Sequence, residues 1–221
     1  MPFVLMRPSS RPLVDAARAG QGSPARADGA AAELRADYER WGRWWCGLGA
    51  FVGTSVGVFL GGAAMDMIVA LAPDPVGLML GVVLGVAGLG LVVVCGVVLF
   101  RLWRTGRALV RGAAWWLRLP YRAAGRTRRA SGWLEARTVN FEPPVFARIA
   151  TSALALLGGV MGVSMAFAPT GIWDMPALAT AFVAAGLLSL ACGCGQLGGV
   201  VRLVSGIGER DPLWARLRGD G

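Results

Sequence analysis

Asp66 is the one ionisable side chain inside a long apolar stretch of this chain. A carboxylate in such a setting is a candidate ion or proton relay. A relay needs further polar groups. This sequence has no His, and Thr54, Ser55, Ser164, Thr180 and Gln196 are scattered over the apolar runs. Asp66 also stands seven residues before Pro73, about 10 Å of helix at the standard rise. It is therefore expected to reach headgroups or water at the end of its run rather than to line a path.

The second arrangement with ligand chemistry is Cys192-Gly193-Cys194. On a helix, side chains two apart point about 200° away from each other. With no His to complete a site, these thiols are expected to fill space as small apolar groups. The glycine-rich stretches do not join a strand to a helix, so they are not phosphate loops. No nucleophile–base pair can be assembled. The chain is read as non-enzymatic, with no catalytic, cofactor or metal site.

The third arrangement is cationic. At 100° per residue, Arg104, Arg107, Arg111, Arg118 and Arg122 fall in one narrow arc of a helix, opposite Leu109, Val110, Ala113, Trp116 and Leu117. Pro120 is expected to end or kink that helix. Arg126, Arg128 and Arg129 extend the basic patch. The profile predicts a helix lying in a membrane interface with its arginines on anionic headgroups. Nucleic acid is the alternative partner, with Trp115, Tyr121 and Trp133 as stacking groups. No recognised nucleic-acid module accompanies them, so lipid is the leading partner.

The elements that carry these groups follow from composition. The chain has 221 residues, 55% of them hydrophobic, with 33 glycines and 16% charged. That is too apolar for an ordinary soluble domain. Four runs, 44–72, 76–100, 149–168 and 177–201, each match the roughly 20 residues that cross a bilayer core. All 22 basic residues are arginine, and they lie only in 1–43, 101–148 and from 202 onward. The short connections near Pro73–Pro75 and Pro169–Pro176 hold none. Positive charge stays on the cytoplasmic side. The reading is an all-α, four-span protein of the cell membrane with both termini cytoplasmic.

The expected organisation is a disordered or helical arm over 1–43, a transmembrane hairpin over 44–100, a basic cytoplasmic connector over 101–148, a second, parallel hairpin over 149–201 and a tail over 202–221. Within the arm, 7–32 reads as disordered and 30–43 as a short helix, with Arg35–Glu39 and Glu39–Arg43 as weak pairs. Trp41, Trp44 and Trp45 mark an interface. The first run carries glycine at 49, 53, 57 and 61, the second at 77, 81 and 85. Ala177, Ala181, Ala185, Ser189 and Gly193 repeat that spacing in the fourth. Such stripes let helix backbones approach closely in lipid. They serve either packing within one chain or a homo-oligomer sealed by the first stripe. Residues 62–73 align without gaps on 158–169, which suggests a duplication.

The leading function is a small non-enzymatic scaffold or accessory subunit that associates through the glycine-striped helices, with itself or with another membrane protein. A channel or transporter subunit is one alternative. The other is a membrane accessory of plasmid or DNA transfer in a high-GC actinobacterium, since arginine without lysine points to a GC-rich coding bias. In general character the chain is similar to the small spread-type membrane proteins of actinomycete plasmids, although no motif carries that likeness.

Overall fold

The computed structural model describes residues 5–71, 74–123, 126, 141–167 and 175–208. Among them there are helices and no strands. The helices are α1 (Ser10–Ala19), α2 (Ala27–Tyr38), α3 (Trp41–Ala70), α4 (Pro75–Ala123), α5 (Pro143–Ser164) and α6 (Pro176–Ile207). Four helical stretches are long and apolar enough to cross a membrane: Pro24–Ala70, Pro75–Ala123, Pro143–Phe167 and Pro176–Ile207. The chain is a multi-pass membrane protein by that criterion.

Local chemistry sets several of the boundaries. Gly20 takes a left-handed φ of 68° and closes α1, while its N–H donates to the Ala16 carbonyl. Asp74 starts α4: its carboxylate accepts from the N–H groups of Val76 at 3.3 Å and Gly77 at 3.0 Å, with Pro75 in the first helical position. The helix expected over 30–43 is instead two. α2 stops at Tyr38, and Arg40 becomes the turn residue whose carbonyl accepts from Arg43 at 3.1 Å. Pro120 does not end α4, which continues to Ala123.

The chain divides into two compact units. The first comprises Met1–Trp44, Arg101–Ala150 and Gln196–Gly221. Its core joins Val14 of α1 and Ala27, Ala30, Ala31, Leu34 and Tyr38 of α2. To these it adds Leu109, Val110, Ala113, Trp116 and Leu117 of α4, Val145 of α5, and Val200, Leu203 and Ile207 of α6.

That core corrects two expectations. Residues 7–32 are not a disordered arm: they supply α1 and the start of α2. The signal was a stripe at positions 27, 30, 31, 34 and 38, which is helical spacing written mostly in alanine. The apolar side of the 101–123 helix is also not free to lie in an interface. Leu109, Val110 and Ala113 are buried against protein. The amphipathic pattern was real, but its apolar face belongs to a helical core.

The second unit comprises Trp45–Phe100 and Thr151–Gly195. Small residues bring its helices together. A Cβ on Gly57 would stand 2.7 Å from the Gly88 carbonyl oxygen, and one on Gly88 would stand 2.8 Å from the Gly57 oxygen. Helices α5 and α6 repeat this contact, since a Cβ on Gly162 would meet the Gly186 Cα at 2.8 Å. Phe59 and Phe182 join α3 to α6 edge to face at 4.8 Å. The outside of this unit is apolar: Val82, Val83, Val86, Leu89 and Val93 on α4 and Leu154, Leu157 and Val160 on α5 are exposed. Contiguous apolar surface of that kind suits hydrocarbon rather than water.

Candidate functional site

Asp66 is held by the opening turn of α6. The Ala177 N–H donates to its Oδ1 at 3.0 Å, and the Leu178 N–H donates to its Oδ2 at 2.7 Å. The first N–H groups of a helix have no partner within the helix. Met175, the residue just before α6, has no oxygen in its side chain to cap them. In hydrocarbon each unsatisfied group of this kind costs several kcal/mol, on the order of the transfer penalty for a bare amide. Asp66 accepts from two of them at once. Both carboxylate oxygens are thereby engaged.

The striped glycines divide by what surrounds them. A Cβ on Gly53 would meet the Cys95 Sγ at 2.6 Å, and Gly57 sits against Gly88. A Cβ on Gly81 would stand 2.7 Å from Ile68 and one on Gly77 2.8 Å from Leu71, while one on Gly85 would have an ordinary 3.6 Å to Ala64. Gly49 and Gly61 have nothing within 4 Å. Gly88, Gly159, Gly162 and Gly186 make close approaches that the i+4 series does not reveal, because they stand outside it. In the fourth run Ala181, Ala185 and Ser189 are buried, and a Cβ on Gly193 would meet the Ser152 carbonyl at 3.0 Å. Within the suggested repeat, one aligned pair packs differently: a Cβ on Gly62 would meet the Ala177 carbonyl at 2.9 Å, while one on Gly158 would meet nothing within 4 Å.

Three groups stand out among the described arginines. Arg43 and Arg148 are buried, at 5% and 6% exposure. Arg43 donates to the carbonyl oxygens of Leu5 and Leu102, each at 2.5 Å, and to the Thr105 hydroxyl at 2.6 Å. Arg148 donates to the Tyr38 carbonyl at 2.7 Å, and its guanidinium lies 4.4 Å from the Tyr38 ring centroid. Burial pulls the Arg43 guanidinium down to about 10, still above neutral pH, so a buried charge remains that must be met by such oxygens. The expected Glu39–Arg43 pair is replaced: Glu39 accepts from Arg35 at 2.6 Å, and Arg35 also reaches Glu142.

A second group is tied to acids. Buried Asp37 accepts from the Arg7 backbone N–H at 2.9 Å and from the Arg40 side chain at 3.2 Å. Arg126 donates to both oxygens of Asp28 at 3.0 and 2.7 Å. That hydrogen-bonded carboxylate holds the Arg126 guanidinium above its usual range.

The third group is the α4 face. Arg104, Arg111 and Arg122 are exposed, and Arg107 and Arg118 are half-buried. Arg107 lies over the Trp103 indole at 5.0 Å. Arg128, Arg129 and Trp133 lie outside the described residues. Trp115 stacks edge to face on Trp116 at 4.9 Å, and both flank Gly22. The Trp116 N–H donates to the Leu13 carbonyl at 3.0 Å. These indoles therefore serve the core.

Among the described residues, no group of three or more His, Cys, Asp or Glu side chains could hold a metal. Comparison with known proteins returned no matching family model, no matching curated protein and no matching solved structure.

Proposed function

We propose that this chain is a non-enzymatic scaffold or accessory subunit of the cell membrane. Two hairpins, α3–α4 and α5–α6, cross the bilayer. Both termini and the basic segment lie on the cytoplasmic side, which the arginine distribution favours. The observation that carries the scaffold reading is the two-faced second half of α4. Leu109, Val110 and Ala113 are clamped in a protein core, while Arg104, Arg111 and Arg122 face outward. A helix fixed on one side and charged on the other is a display surface. Gly49 and Gly61, open on α3, are the positions at which a second copy or another membrane helix would approach.

A transport role finds less support. The one carboxylate in the apolar runs has both oxygens occupied by backbone donors. Two experiments test the scaffold reading together. Crosslinking in native membranes is expected to join α3 to itself or to one other membrane protein. Reconstituted vesicles are expected to show no solute or ion flux above protein-free controls. Flux that disappears in Asp66→Asn, with no crosslinked partner, would overturn the proposal.

A further inference from the structure

Trp103, Arg104 and Arg107 occupy about 100° of the α4 surface by helical geometry. Trp103 is 46% exposed and Arg104 is exposed. Stacking on the indole holds Arg107 beside Arg104, one turn along the helix. Residues 101–123 contain six arginines and no acid, so this segment supplies no carboxylate of its own to this face. The apolar run ends at Phe100, three residues before Trp103.

We propose that Trp103, Arg104 and Arg107 form a headgroup site for an anionic phospholipid. This deepens the partner reading above and rests on residues 101–123 leaving the bilayer after Phe100. A guanidinium fork matches two oxygens of a phosphodiester, and an indole is favoured at headgroup level. The site is local. The helix cannot spread its apolar face into lipid, because Leu109, Val110 and Ala113 are buried in protein. Arg111 and Arg122 continue the charge along the helix, roughly 12 and 28 Å beyond Trp103 at the standard rise. Nucleic acid fits less well, because Trp115 is packed on Trp116 and offers no free stacking platform.

Native mass spectrometry of the full-length protein, with phosphatidylglycerol and phosphatidylcholine as probes, tests this. The wild type should retain phosphatidylglycerol over phosphatidylcholine. R104Q/R107Q should lose about tenfold or more of that retention, given the contribution of each surface arginine, with melting unchanged. R111Q/R122Q should keep it, and inorganic phosphate should not displace the lipid. R107K keeps the charge and loses the fork, so it should weaken retention even if the double variant does not fold. Equal retention in R104Q/R107Q or R107K would overturn the site. So would an equal loss in R111Q/R122Q, or displacement by inorganic phosphate or a duplex oligonucleotide. Alkaline carbonate extraction separates the two levels. A protein stripped from membranes refutes the spanning reading, while one that stays but shows no lipid preference refutes only this site.

Discussion

The Oδ2 atom of Asp66 accepts a hydrogen bond from the backbone nitrogen of Leu178 at 2.7 Å, across 112 residues of chain. With the Ala177 bond beside it, one side chain on α3 caps a helix that begins more than a hundred residues later. Asp66→Ala should therefore lower thermal stability in detergent by about 1–2 kcal/mol or more, since a lost helix cap sets the lower end and unpaired N–H groups in hydrocarbon add to it. Asp66→Asn keeps one acceptor oxygen and should fall between the two. Melting of the three proteins side by side checks this, and an unchanged Asp66→Ala would remove the capping role.

Glycine substitutions should separate inward from outward positions. Gly57→Leu drives a side chain into the Gly88 backbone and Val92, and Gly53→Leu drives one into Cys95. Each should destabilise the fold by about 1–3 kcal/mol or more, as overpacking does. Gly49→Leu and Gly61→Leu meet open space and should melt like the wild type. Any change in oligomer size should appear only in this second pair. Changes at Gly53 and Gly57 report on folding, so they cannot by themselves diagnose self-association.

Arg43→Met should be far more damaging than Arg122→Gln. Removing the Arg43 guanidinium leaves the Leu5 and Leu102 carbonyls and the Thr105 hydroxyl without that donor. A loss of about 1–3 kcal/mol is expected from removing a charged donor shared by three oxygens. Arg122 is exposed, and its replacement should stay within about 0.5 kcal/mol of wild type. Denaturation midpoints of the two variants decide the matter. Equal effects would mean that burial does not distinguish these arginines.

The N-terminal helices should behave as folded protein. Leu34 and Leu109 are fully buried in one core. Leu34→Ala should cost about 2–5 kcal/mol, typical of a large-to-small core change. Amides over 27–38 should exchange slowly in hydrogen–deuterium exchange, and that protection should fall in Leu109→Ala. Rapid exchange throughout 7–38 in the wild type would mean that this arm is disordered after all.

How much of the fold was legible in the residues depended on whether the information was local. Long apolar runs are local, so four helices of spanning length could be read from composition and run length alone. The amphipathic face of α4 was legible too, and its apolar residues are indeed segregated from the arginines. Which surface covers that face was not, because Ala27, Ala30 and Ala31 look like low-complexity filler until Leu34 and Tyr38 complete their stripe. Asp66 illustrates the same limit. Its partners are backbone N–H groups, which carry no residue-type signature, and they lie on a distant helix. Arg43 looks in the sequence like one more flanking cation, and only its three oxygen partners distinguish it.

The side of the membrane on which each connection lies can be measured. In a variant whose four native cysteines are replaced, single cysteines can be placed at exposed Ala123 and at Asp74 and probed in intact cells with a membrane-impermeant maleimide. Position 74 should label, and position 123 should not until the membrane is opened. Labelling at 123 in intact cells would contradict this sidedness, and with it the roles proposed for the arginine face of α4.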